Sequence, residues 1–337
     1  MSIQPRGELD PPEISAVVCT YTGDRWNLLV SAISSLQRQE YPLKEIIVVV
    51  DHNEPLLRRV RQELPGVVAI ANEGEPGLSG ARNSGWAAAN GSIVASLDDD
   101  AEAAPDWTAR LCRDFSDPTV AGVGCFVTPT WEKRQPAWFP QEFYWVVGCT
   151  YRGVPTEKQV IRNPIGAAMA LRREALANVG GFRSELGRLN KNPLGCEETE
   201  LCVRIRQQDP QSRFIQDPEA KASHHVSEDR TTWRYFRSRC FAEGLSKAAV
   251  TRNVGSTDAL AAERTYVTRV LPSGMWNSLL TVLSGDPWGV ARAGAIVGGF
   301  LWTVAGFVIG SIVPSRGASH LPRRILFRGI RRLVKDQ

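Results

Sequence analysis

No Cys-x-x-Cys pair occurs in the chain, and its seven cysteines, an odd number, are scattered at positions 19, 112, 125, 149, 196, 202 and 240. Several sit inside apolar runs, where a free thiol behaves as a small hydrophobe. The pattern excludes a structural zinc site and a disulfide framework, and a reducing compartment is expected. Met1 to Glu13 lacks the hydrophobic run a secretory signal needs. Residues 1–13 are expected to be a disordered N-terminus, and the domain that follows is expected in the cytoplasm. Histidine is scarce, four in 337 residues, so the adjacent pair His224-His225 stands out. Net charge is slight at +4, and no nucleic-acid partner is expected. The basic excess lies beyond Val313, where Arg316, Arg323, Arg324, Arg328, Arg331, Arg332 and Lys335 face a single Asp336. Directly behind an apolar stretch, such a tail suits anionic lipid.

What the chain has is alternation. Residues 14–19 read as a buried strand, and Trp26, Leu29, Val30, Ile33 and Leu36 then form a helical stripe. Residues 45–50, nearly all Ile and Val, give a second strand, followed at once by Asp51. A helix from Pro55 to Leu64, a strand over 67–71 and a helix over 80–90 capped by Ser79 come next. The run 92–97 then ends in Asp98, Asp99 and Asp100, before a helix from Pro105 and a strand over 120–127. This order predicts an α/β fold: a mostly parallel, Rossmann-like sheet with helices on both faces. Ligands of such sheets bind outside the carboxyl ends of the strands, where Asp51 and the acid triplet both fall. Three adjacent acids repel one another. A divalent cation, Mn²⁺ or Mg²⁺, removes that repulsion and leaves positions for phosphate oxygens. A solvated acidic turn accounts for the triplet alone, but not for a second acid on the same rim.

The glycine-flanked stretch 77–85 matches neither a dinucleotide fingerprint nor a Walker loop, yet a helix start carrying Arg82 can offer N–H groups and charge to a phosphate. Residues 129–165 lose periodicity and gain large rings, among them Trp138 and Trp145, expected to line a groove for a sugar ring or lipid chain. Glu197, Glu198 and Glu200 precede Leu201 and Ile205 at a helix start, where the helix dipole favours acids without further function. Glu200 and Arg204 form an i,i+4 pair of the same kind. His224 or His225 is a candidate metal ligand, ahead of a helix over 232–249. Residues 293–313 carry no charge, and about 31 Å of helix at roughly 1.5 Å per residue is enough to cross a bilayer. One full span cannot put both a cytoplasmic domain and a basic tail on the same side. A peripheral or re-entrant anchor on the inner leaflet, at the cytoplasmic face of the plasma membrane, is therefore expected.

Taken in order, these segments resemble glycosyltransferase family 2, whose nucleotide-sugar-binding fold is called GT-A. The resemblance covers about residues 14–250, leaving 251–337 as a C-terminal helical region with its apolar segment and basic tail. Val17-Val18-Cys19-Thr20-Tyr21 is similar to the family's first strand and turn, with Cys19 where proline is usual. Residues 45–51 resemble the strand whose terminal acid, here Asp51, holds the nucleobase. Arg82 and Asn83 match the Arg-Asn-x-Gly segment near the donor. Leu97 to Asp100 resembles the Asp-x-Asp motif, implying Asp98 at the ribose and Asp100 as main metal ligand, with Thr20, Tyr21 and Asp99 also on the donor side. Gly180-Gly181-Phe182 matches the family's Gly-Gly-Phe. Glu198 stands where the family's catalytic Asp does, and His224, or failing that His225, matches a histidine reaching the metal or diphosphate. Glu197, Gly166, Trp138 and Trp145 are expected on the acceptor side.

The resemblance implies an inverting transfer from a nucleoside-diphosphate sugar, a UDP-sugar favoured, to an acceptor hydroxyl. The Glu-Glu-Thr-Glu-Leu variant, the aromatic insert and the apolar tail resemble the subgroup acting on lipid-linked saccharides or glycolipids in cell-envelope glycan synthesis. Two other classes use similar residues: a metal-dependent nucleotidyltransferase on a related fold, and a non-catalytic sugar-nucleotide-binding scaffold.

Overall fold

The computed structural model of the protein describes residues 11–187, 194–255 and 261–312. Most of the expected disordered N-terminus, Val313 and the basic tail lie outside the described residues. The strands are β1 (Ile14–Thr20), β2 (Glu45–Val50), β3 (Val68–Ala71), β4 (Ile93–Asp98), β5 (Ala101–Ala103), β6 (Val120–Trp131), β7 (Gln159–Ile161), β8 (Ala168–Arg172) and β9 (Arg213–Val226). They form one sheet in the order β3-β2-β1-β4-β8-β6-β9-β5, with β7 paired to β9. β1 to β4 pair in parallel, as do β6 and β9, whereas β8 runs antiparallel between β4 and β6, and β5 and β7 run antiparallel along β9, so the sheet is mixed.

β1, β2, β4 and β8 are mostly apolar along their length because both faces are buried. Their pleat splits the core in two. Ile46, Val48 and Val50 join Leu29, Ile33, Leu36, Leu57 and Trp107, so α1 (Trp26–Gln37), α2 (Glu54–Glu63) and α4 (Trp107–Asp114) cover one face. Ile47 and Val49 join Ala81, Leu176, Leu201 and Ile205, so α3 (Leu78–Ala88), α5 (Arg173–Val179) and α6 (Glu197–Gln208) cover the other.

Three expectations are corrected. Ser79 does not cap its helix: α3 begins at Leu78, Gly77 precedes it at φ 116°, and the Ser79 hydroxyl donates to the Leu186 carbonyl at 2.6 Å. β6 runs on to Trp131, and the fourteen-residue β9 continues through both histidines. Much of the aromatic insert is core, not groove. Phe139 and Phe143 are fully buried, and Trp138 lies against Phe139, Trp233 and Phe236 at ring separations of 5.3, 5.4 and 5.5 Å.

The C-terminal helices are α7 (Trp233–Val254), the short α8 (Ala261–Thr265), α9 (Leu271–Leu283) and α10 (Trp288–Ile312). α10 lies along α7 at glycine contacts: a Cβ on Gly244 would overlap the Thr303 carbonyl, and one on Gly306 the Phe241 carbonyl. Its other side exposes Val297, Leu301, Val304, Val308 and Ile312, continuous in kind with Trp276, Leu279 and Leu283 of α9. We predict that Gly244→Ala destabilises the protein by about 1–3 kcal/mol, the usual scale of overpacking, read as a lower melting temperature in detergent. Gly294→Ala, where a Cβ meets nothing within 4 Å, is the control and does not lower it.

Candidate active site

β1, β2 and β4 run parallel, so their carboxyl ends share a rim. Thr20 ends β1, Asp51 follows β2, and Asp98 ends β4 in register with Cys19. Asp51 is held by its surroundings: Oδ1 accepts from Asn72 Nδ2 at 2.6 Å and meets His52 Nδ1 at 2.9 Å, while Oδ2 accepts from the Gly77 N–H at 2.9 Å. Tyr21 is exposed beside it, under the Arg25 guanidinium at 5.1 Å.

The chain turns directly from the triplet into β5, and β5 pairs with β9 so that Ala101 faces His224. That pairing brings a distant imidazole to the acids. His224 Nε2 lies 3.0 Å from Asp100 Oδ1 and 3.9 Å from Asp98 Oδ2, and the three donor atoms are within 4.8 Å of one another. Two carboxylates and an imidazole suit Mn²⁺ or Mg²⁺ and leave coordination positions for phosphate. Alternation along β9 turns the His225 ring to the opposite face, so His224 is the histidine at the site; His225 gives only its backbone N–H, to the Asp100 carbonyl at 2.8 Å.

Two arginines missed in the sequence meet the same acids. Arg25 reaches Asp100 Oδ2 at 2.9 Å and Asp99 Oδ1 at 3.1 Å, and Arg230 reaches Asp100 Oδ2 at 3.2 Å. The triplet is thus compensated within the protein, which the expectation of a cation as sole remedy did not include. Burial, opposed by Arg25, pushes Asp99 up to about 7. Burial acts the same way on Asp100, but His224 and the two arginines hold it well below the usual carboxylate range. Burial favours neutral His224; Asp100 outweighs it and raises the imidazole to about 10.

Arg82 connects this rim to the second acidic segment. It is 3% exposed, and its Nη1 donates to Glu197 Oε1 at 2.8 Å. Its Nη2 donates to the Gly166 carbonyl at 2.8 Å and lies 3.5 Å from Asp98 Oδ1. Asn83 is turned elsewhere: its amide bonds both the N–H and the carbonyl of Phe182, at 2.9 and 2.8 Å, and so ties the Gly-Gly-Phe segment to α3. Glu198 lies in the first turn of α6, which Cys196 enters in the left-handed region at φ 67°. Burial and the Glu197 carboxylate push Glu198 up to about 8, against the pull of Arg82.

A cavity of about 630 Å³ joins these groups, with Asp98, Arg82, His224, Glu197 and Glu198 in its wall. It continues past Gly166 to Trp145, Tyr151, Tyr266 and Phe300. Trp145 donates to the Tyr266 hydroxyl at 3.0 Å; Trp138, packed in the core, does not line the cavity. A partly buried ionic seam forms another part of the lining, with Glu263 2.5 Å from both Arg162 and Lys247, and Glu243 3.1 Å from Lys247.

Acids at the carboxyl ends of parallel strands, a carboxylate–imidazole cation site and a second carboxylate across one cleft define a GT-A glycosyltransferase. The chain belongs to that fold's family 2: the Glycosyl transferase family 2 description matches residues 15–180. It is 34% identical over 239 residues to a glucosyl-dolichyl phosphate glucuronosyltransferase of Haloferax volcanii, covering 70% of this chain and 76% of that one. A pre-mycofactocin glycosyltransferase of Mycobacterium tuberculosis is 27% identical over 158 residues, covering 47% and 32%. Among solved structures, the mannosyltransferase PcManGT of Pyrobaculum calidifontis, in complex with GDP-Man and Mn²⁺, is similar in fold at a TM-score of 0.57 and 17% identity, over 87% of each chain. GalNAc-T7 with UDP, GalNAc and Mn²⁺ gives 0.50 and 18%, over 83% of this chain and 59% of that one. Neither the nucleotidyltransferase nor the scaffold reading is favoured by these likenesses.

We predict that His224→Ala weakens Mn²⁺ binding by roughly 10–100-fold, the scale seen even for outer-shell partners of a metal, whereas His225→Ala leaves it unchanged. Calorimetric titration with Mn²⁺ checks both.

Proposed function

We propose that the protein catalyses inverting transfer of a sugar from a nucleoside diphosphate, UDP-sugars favoured, to a hydroxyl of a lipid-linked saccharide at the cytoplasmic face of the membrane. The observation that carries this reading is the single cleft, which is lined by Asp98, His224 and Glu198 and also by Tyr266, Leu271, Phe300 and Thr303 of the C-terminal region.

Asp51 and Asp98 fix the nucleobase and ribose, which sets the position of the anomeric carbon. A bound divalent cation supplies charge stabilisation for the departing diphosphate. Glu198 takes the proton from the acceptor hydroxyl as that oxygen attacks from the face opposite the leaving group. Its raised proton affinity suits a group that must accept a proton near neutral pH. Glu197 is spent on Arg82 and so is the weaker candidate for base. One displacement at the anomeric carbon inverts an α-linked donor to a β-glycoside.

The lipid-linked acceptor is supported by the Haloferax volcanii relative, whose name specifies a dolichyl phosphate sugar, and by the apolar outer side of α9 and α10. Membrane association through an in-plane hairpin is supported by the way α10 lies along α7, a helix that carries Arg234, Arg237, Glu243 and Lys247. A span would draw that charged helix into hydrocarbon. Seven free thiols support a reducing, cytoplasmic setting.

Glu198→Gln is expected to keep donor binding and lose transfer by about 10²–10⁴-fold, the usual weight of a general base. Wild-type kcat/KM should rise with pH through an apparent pKa near 8, because the base must be unprotonated to act. Initial rates of nucleoside diphosphate release across pH 6–9.5, roughly the range bracketing that group, check both; a flat profile removes Glu198 as base.

A further inference from the structure

The Asp100 carboxylate is divided between two kinds of partner. Oδ1 faces His224 and, with Asp98, makes the cation site; Oδ2 faces Arg25 and Arg230 instead. The two guanidinium groups reach it from opposite parts of the chain. Arg25 comes from the turn after β1, and Arg230 from the turn between β9 and α7.

Neither arginine is saturated by these pairs. Arg25 Nε and Arg230 Nη1 are buried nitrogen donors without a hydrogen-bond partner. Native proteins pair nearly all such donors, so two beside one carboxylate point to a missing acceptor. Charge points the same way. Asp98 and Asp100 already cancel the two charges of a divalent cation, so the two arginines are the positive charge left for an anionic diphosphate. Asp98, Asp100 and His224 would hold a cation that attracts phosphate to the same carboxylate the arginines meet, and the planar fork of arginine suits two phosphate oxygens at once.

The geometry points to Arg25 and Arg230 as a two-pronged clamp on the diphosphate of the donor, each keeping one N–H on Asp100 and giving another to a phosphate oxygen. This rests on the nucleotide-sugar reading above. In transfer the clamp holds the group that departs with the bonding electron pair, so it belongs to leaving-group stabilisation and makes no covalent bond.

The competing role is purely structural, with the arginines only neutralising and orienting the acids. That role ties nucleotide affinity to metal affinity; the clamp separates them. The test compares wild type with Arg25→Met, Arg230→Met and the milder Arg230→Lys, which keeps a cation at Asp100 if the methionine variant fails to fold. Calorimetry reads Mn²⁺ alone, then UDP and GDP in saturating Mn²⁺. The clamp predicts Mn²⁺ affinity within about threefold of wild type and diphosphate affinity at least about tenfold weaker in each variant, a typical loss of one charge-assisted contact. Unchanged diphosphate binding, or Mn²⁺ and diphosphate weakening in parallel, overturns the clamp and leaves the donor reading standing. Wild-type protein that binds neither UDP nor GDP overturns the donor reading, and the clamp with it.

Discussion

Arg82 lies almost wholly out of water and touches three segments that the chain delivers separately: Asp98 at the end of β4, the Gly166 carbonyl before β8, and Glu197 at the start of α6. A buried guanidinium is tolerable only when its donors are met, and stripping one partner from such a pair costs about 3–5 kcal/mol. The same contact that satisfies Arg82 therefore sets the separation between the cation site and the carboxylates of α6. It also sets the chemistry of the neighbouring side chain. Glu197 is neutralised by Arg82, whereas Glu198, one residue on, is left with burial and a nearby negative charge and holds its proton more tightly.

The acid triplet obeys a related constraint. Its members do not share one environment: Asp98 is partly exposed to the cleft, whereas Asp99 and Asp100 are buried and paired with arginine. A fold that buries adjacent carboxylates must bring cations to them, and here those cations come from the first turn and from beyond β9. Metal chemistry and fold stability thus depend on the same few charges. Every segment that supplies one begins at or just beyond a strand end.

Much of this was legible because periodicity and strand-end acids are local signals. The β–α alternation, Asp51, the triplet, Arg82 and Glu198 all came from short stretches read in order. What escaped depends on pairings between distant segments. Nothing near Arg25 or Arg230 shows that they meet Asp100, because one contact exists only once β1 lies beside β4 and the other only once β5 lies against β9. Asn83 beside Arg82 looked like a donor-site residue; one step further round the helix, its amide meets Phe182 instead. Trp138 and Trp145 looked alike as rings in an irregular insert, yet one closes the core against α7 and the other edges the cleft. The histidine pair was resolved only by the pleat of a strand whose length the sequence did not reveal.

The C-terminal helices belong to the same arrangement. Glycines let α10 lie against α7, α7 carries Glu243 and Lys247 into the cavity wall, and Glu263 closes the ionic seam from α8. The side turned outward is apolar, and Phe300 and Thr303 on the other side border the cleft. The most direct test of the central claim, that Arg82 sets both the spacing and the proton affinity across the cleft, is the pH–rate profile of Arg82→Lys. A lysine keeps the charge but cannot bridge three acceptors. The account predicts Mn²⁺ affinity near wild type, a sharply lower transfer rate and an apparent pKa displaced upward, because an ammonium drawn to Asp98 and Gly166 leaves the Glu197 carboxylate uncompensated beside Glu198. Wild-type rates with an unshifted profile would contradict it.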